Sequence, residues 1–180
     1  ARAIETLCIG DLVRTIDAGY VPVKWLGQTH LEASELRRWE NLIPVRVKRN
    51  AFGPGRPRKD VVLSPNHRVL VTGSLAELCF GESEVLVPIK ALIDGKTVHK
   101  DVKYSGVAYF HLLLEGHHIV ETSGLLSESL FLGDQSMLVV SEHANLDLRL
   151  ALTEPEWQRH AAEKAVRPLV RARIGQCLAA

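Results

Sequence analysis

Cysteine is scarce in this sequence, and so is any surplus of charge. Three cysteines, Cys8, Cys79 and Cys177, stand far apart among 180 residues. An odd count with wide spacing and no CxxC excludes a disulfide framework and a zinc knuckle. Each reads as a small buried hydrophobe, with Cys8 an ordinary core or strand-edge residue. Lys and Arg total 22 against 21 Asp and Glu, a net charge of +1. Global charge therefore selects neither a nucleic acid nor an acidic partner. No run approaches the roughly 20 apolar residues of a membrane-spanning helix, and no signal-peptide pattern is present. Met137 is the only methionine, and the chain opens on Ala1. It reads as a fragment of a longer polypeptide, so the missing leader leaves the parent's compartment open.

What is present is a succession of short β-type runs. The length suits one domain with a terminal appendage, long enough to bury a core. "DLVRT" at 11–15, "VPVKWL" at 21–26 and "IPVRVKR" at 43–49 alternate apolar and polar residues, as half-buried strands do. "VVL" at 61–63, "RVLV" at 68–71 and "EVLVP" at 84–88 follow. Asp94-Gly95, within "ALIDGKTV", signals a hairpin turn. "VAYFHLLLEGHHIV" at 107–120 is broken near its middle by Gly116. Such spacing predicts an all-β body.

Two segments have helical character. "LEASELRRWEN" at 31–41 holds a short helix. Over 153–174, Thr153 and Glu156 form a capping box. Pro155 occupies the first turn, where its missing N–H is not needed. Trp157, Ala161, Ala165, Val166, Leu169 and Val170 make an apolar stripe, and Pro168 kinks or ends the helix. Arg167, Arg171 and Arg173 read as a solvated face. The loop "FGPGRPRKD" at 52–60 is basic, yet it has neither an aromatic ladder nor Walker spacing, so no nucleic-acid partner is assigned.

Chemistry has to come from the eight histidines and their neighbours. His117 and His118 are adjacent and point apart on a strand. No HExxH or His-x-His occurs, so no metal is assigned. No GxSxG occurs either, and Ser64 precedes a proline rather than a strand-to-helix elbow. What stands out is "LSPNHRVLV" at 63–71, where Ser64 and His67 interrupt two apolar runs. Taken alone, the pair is either a turn whose imidazole the backbone satisfies or a catalytic couple.

Three blocks, in order, resemble the Hint domain, the self-processing module of hedgehog C-terminal domains and inteins. "ARAIETLCIGDLVRT" is similar to the segment that follows the family's N-terminal nucleophile. Ser64-Pro65-Asn66-His67 resembles its Thr-x-x-His block. "YFHLLLEGHHIVETSGLL" resembles its last block, with Tyr109, Leu112, Glu115, Gly116, His118 and Gly124 in matching places. The likeness covers residues 3–135 and is greatest to a bacterial Hint subfamily.

The resemblance implies an all-β, Hint-type compact body of short strands with pseudo-twofold character, to which the capping box and apolar stripe add a C-terminal α-helix beyond the likeness. Residues 1–135 would form that domain, and 136–180 an extension carrying the helix. It implies that a Cys or Ser attacks the preceding peptide carbonyl and turns the amide into a thioester or ester. His67 would then act as general acid at the scissile nitrogen, and Ser64 would orient the scissile peptide. His118 matches the last block's histidine. His111 stands where other branches place Asp or Cys, as a second base. The partners implied are the chain's own upstream polypeptide and a small nucleophile such as water or a thiol. No cofactor and no membrane are implied.

Two departures set further expectations. The family's nucleophile lies upstream of a segment like "AIETL", so the chain as given is expected to lack it and to form no thioester. Inteins end in His-Asn, whereas Glu128 and Ser129 stand here; C-terminal Asn cyclisation is therefore not expected. The alternative is a non-catalytic Hint-fold module that binds or supports within a larger bacterial protein.

Overall fold

The computed structural model describes residues 2–103, 105–133 and 142–175. Eleven short strands in several antiparallel sheets dominate these residues, with helices between and after them. The all-β expectation holds. The chain divides into two compact units, each assembled from separated segments.

Unit 1 comprises Ala1–His30, Ala108–Val120 and Ser129–Val166. Strands β1 (Leu12–Arg14) and β2 (Tyr20–Pro22) pair with Val13 opposite Val21. The turn between them closes where Thr15 N–H donates to Gly19 O at 2.6 Å, and Gly19 has φ +68°, which glycine adopts without strain. Strand β3 (Trp25–Glu32) pairs with β9 (Gly106–Leu113). Trp25, Gly27 and Thr29 are buried while Gln28 and His30 are exposed, the period-two pattern of a half-buried strand. Gly27 is required here, because a Cβ would fall 1.9 Å from the Trp25 indole. Trp25, Leu113, Leu132 and Leu148 form one core, joined by Leu130, Leu152 and Trp157. Val21, Val23, Leu114 and Val120 form a second.

Unit 2 comprises Leu31–Val107, Glu121–Glu128 and Arg167–Ala180. Strands β4 (Val45–Val47), β5 (Val61–Leu63) and β8 (Val98–Lys100) make one sheet with β4 central. Strands β6 (Arg68–Thr72), β7 (Glu84–Pro88), β10 (Ile119–Thr122) and β11 (Leu125–Glu128) make another, in the order β10-β11-β6-β7. Their inward valines, Val45, Val47, Val69, Val85 and Val87, share one core with Ile89 and Val170. Branched side chains fit this pleated, buried surface. Helix α1 (Ala33–Arg38) is the short helix expected at 31–41, and Glu32 and Glu35 close its capping box. Helix α2 (Ser74–Phe80) lies between Gly73 and Gly81.

Four expectations change. Asp94-Gly95 does not make a two-residue hairpin, since only Gly95 has a positive φ. Instead the Asp94 carboxylate accepts N–H bonds from Lys96, Thr97 and Val98 and the Thr97 hydroxyl. These bonds hold its pKa well below the usual carboxylate range. The helix expected over 153–174 follows a first C-terminal helix, α3 (Glu142–Ala151), and ends early, as α4 (Glu154–Ala162). Its Thr153–Glu156 capping box is present. Beyond it the backbone opens to make extended pairings: Leu86 N–H donates to Pro168 O, and Val170 N–H to Leu86 O, each at 2.9 Å. Helical turns at 165–170 would forfeit those bonds. A last short helix, α5, covers Ala172–Gly175. Arg167 is not part of a solvated face; it is half-buried and paired with Glu84. Cys8 is exposed rather than in the core, in a turn where its N–H donates to the Asp11 carboxylate at 2.9 Å. Cys177 lies outside the described residues.

Leu148 of α3 is fully buried against Trp25 and Leu113. Leu148→Ala is expected to cost about 2–5 kcal/mol in chemical denaturation. A loss below about 0.5 kcal/mol, the usual surface effect, would show α3 to be dispensable.

Candidate active site

The turn that joins β5 to β6 carries Ser64, Pro65, Asn66 and His67. It is tight: His67 N–H donates to Ser64 O at 3.0 Å. The residues after β7 staple it from the side. Lys90 N–H donates to Pro65 O at 3.1 Å and Ile89 N–H to His67 O at 2.9 Å. Lys90 Nζ donates to Asn66 Oδ1 at 2.6 Å. The backbone therefore fixes the turn and leaves both side chains for other work.

The residue His67 is half-buried, yet its Nε2 is sealed from solvent and has no hydrogen-bond partner among the described residues. A buried polar atom of this kind calls for an explanation, and a catalytic role is one. Burial drives the imidazole pKa below its ordinary value. The Glu128 carboxylate opposes that shift, and the Arg68 guanidinium adds to it. Glu128 and Arg68 are themselves tied. Glu128 Oε1 accepts Arg68 N–H at 3.0 Å and its guanidinium at 3.4 Å, with both side chains largely buried.

Unit 1 holds the other two candidates. His111, on β9, places Nε2 3.1 Å from the Thr29 hydroxyl of β3, and Thr29 is buried. His118 follows the Glu115-Gly116 break. Its N–H donates to Ser129 Oγ at 3.0 Å, and Ser129 N–H returns to His118 O at 2.8 Å. The pair at 117–118 does diverge: His117 is buried and stacks on Phe131 at 4.5 Å, while His118 is half-buried. Burial lowers the His118 pKa; Glu163 and Asp17 oppose the shift, and His117 reinforces it.

Ser64 and His67 thus belong to one unit, and His111 and His118 to the other. Spacing along the chain could not reveal Glu128, Thr29 or Ser129 as neighbours of His67, His111 and His118, since they lie 61, 82 and 11 residues from them. A cavity of about 310 Å³ in unit 2 is lined by Leu36, Arg37, Glu40, Ile43 and Asp101 and includes none of the four candidates. Among the described residues no group of three His, Cys, Asp or Glu is arranged to hold a metal. No helix among them is long and apolar enough to cross a membrane.

The buried imidazole makes a prediction for stability. Unfolded, His67 titrates near its ordinary value of about 6.5; folded, it titrates lower. The unfolded chain therefore binds the extra proton. This stabilisation is full above about pH 6.5 and is lost as pH falls toward the folded value. His67→Gln should lose less stability than the parent between about pH 7.5 and pH 5, read from urea unfolding at each pH. Equal losses would place the imidazole in water.

Comparison with curated proteins and with solved structures returns no match. The model of one family does match, over residues 1–134, and the segment it covers contains all four candidate residues. By that match over most of its length, the chain belongs to the Hint domain family.

Proposed function

We propose that this chain is a self-processing domain that activates the peptide bond at its natural N-terminal junction by an N-to-S or N-to-O acyl shift. Hint membership points to self-processing or a related function. One observation carries the finer reading: the Nε2 of His67, sealed and without a hydrogen-bond partner among the described residues, three residues from Ser64 in a backbone-fixed turn.

The chemistry runs as an isomerisation. A Cys sulfur or Ser oxygen at the junction attacks the preceding carbonyl carbon, and the carbon–sulfur or carbon–oxygen bond forms. The carbon–nitrogen bond then breaks, and the freed nitrogen keeps its hydrogen and gains the proton the nucleophile gave up. His67 is the relay for that proton. Burial favours its neutral form, which offers one N–H and one lone pair. Such a positioned acid–base group typically contributes about 10²–10⁴-fold. Ser64 orients the scissile peptide. Hydrogen-bond donors aimed at the developing oxyanion contribute about 10²–10³-fold in such reactions. Water or a thiol then attacks the thioester or ester carbonyl and releases the upstream polypeptide. Glu128 and Ser129 stand where an intein has His-Asn, so no Asn is available there to cyclise. In unit 1, His118 and His111 are the further acid–base candidates that the family likeness names, His111 with its ring set by Thr29.

The test is intact-mass spectrometry of the chain carried with its upstream junction and an N-terminal tag, with and without dithiothreitol. Loss of the N-terminal piece is expected, faster with thiol, and slowed about 10²–10⁴-fold by His67→Ala. Ser64→Ala should slow it less. A folded protein whose mass stays unchanged over days would leave the non-catalytic module as the reading.

A further inference from the structure

The carboxylate of Glu163 lies outside the matched stretch of 1–134, yet three features converge on it. Its Oε1 accepts the backbone N–H of His117 at 2.8 Å. Its Oε2 lies 3.6 Å from Nδ1 of buried His160 on α4. Gly116 leaves it room: a Cβ there would fall 2.9 Å from Glu163 Oε1 and 3.4 Å from His118 Nε2. The φ of Gly116 is not in the left-handed region, so its lack of a side chain serves the contact and not the backbone. Gly133 repeats the pattern, since a Cβ there would meet Glu163 O at 2.7 Å. Three residues on, Val166 N–H donates to Nδ1 of His117 at 3.2 Å. Two glycines of the Hint stretch are thus shaped to receive one strap of the C-terminal segment, and the strap grips the residue before His118.

We infer that Glu163 is a positioning residue for His118: its carboxylate fixes the Gly116–His117 backbone and sets the charge that His118 faces. The catalytic consequence rests on the self-processing reading; the positioning does not. Among the described residues, the charged and titratable groups acting on His118 besides Glu163 are Asp17 and His117. Glu163 and Asp17 both favour the imidazolium, so removing Glu163 leaves burial and His117 less opposed.

Two variants separate contact from charge. Glu163→Gln keeps an oxygen for His117 N–H and removes the charge. Glu163→Asp keeps the charge and withdraws it from the His117 N–H. The ring signals of His118 are titrated by NMR in the whole chain, and junction cleavage is followed in the tagged, extended protein. The midpoint of His118 should move to lower pH in both variants, and cleavage should slow by up to about 10²-fold, as for a misplaced group remote from the chemistry. An unchanged or raised His118 midpoint in both, with only a lower melting temperature, would overturn the assignment. Should Glu163→Gln fail to fold, Glu163→Asp decides on the same readout. Absence of cleavage in the parent protein would sink the self-processing reading, while the His118 midpoint would still decide for or against Glu163.

Discussion

The buried pairing of Arg68 with Glu128 is the constraint on which the arrangement of unit 2 turns. The apolar residues of β6, β7 and β11 fill the core beneath that sheet. A slip of one residue would exchange the buried and exposed faces, but a slip of two residues would keep the same face buried. The guanidinium and carboxylate remove that freedom. Their side chains are 13% and 10% exposed, and a charge left alone at that depth costs about 3–5 kcal/mol. Any slip that parts them is therefore penalised far more than a slip of valines. The observed register, Ser127 opposite Val69, places Glu128 beside Arg68 and so fixes where the β6 strand begins. His67 is the residue immediately before that strand. Its position is a consequence of the ion pair as much as of its own turn.

Helix ends and strand ends tell different stories about what the sequence reveals. The strands at 61–63, 68–72 and 84–88 were legible because a short branched run between turn residues admits few alternatives. Helix α2 was not, since seven residues are too few for a helical period to declare itself, and Gly73 and Gly81 look like ordinary loop punctuation until their φ values of +94° and +72° are known. At the C-terminal end the apolar stripe was real but its geometry was misread. Val170 is buried in the valine core, and it arrives there on an extended segment bridging Leu169 to Leu86. Periodicity reports which residues want burial. It cannot report that a strand 83 residues away, with Glu84 ready for Arg167, offers a better partner than the next helical turn.

The same division runs through the candidate site. Ser64 and His67 could be paired by eye because a turn brings residues three apart together. Family resemblance could add His118 and His111. Neither route finds the groups that tune them. Thr29, Glu128 and Glu163 are ordinary residues in ordinary stretches, and each becomes specific only when the fold brings it across dozens of residues. Glu163 is the clearest instance, because it lies beyond the stretch that the family match covers. A reading confined to 1–134 would describe the His118 loop without the strap that holds it.

Seen together, the two imidazoles with shifted titration obey one rule. Burial disfavours the charged form of His67 and of His118, and in each case a single glutamate is the leading opponent: Glu128 for the first, Glu163 for the second. Burial alone would leave each ring a weak base that no longer exchanges protons near neutrality. A full ion pair would do the reverse and lock the proton on. A carboxylate already engaged elsewhere does neither. Glu128 is spent largely on Arg68, and Glu163 on the His117 N–H, so each pulls its histidine only part of the way back toward its ordinary value. An acid–base group works best when its pKa lies near the working pH. In both imidazoles the shared glutamate moves the titration back toward the ordinary value without cancelling the effect of burial.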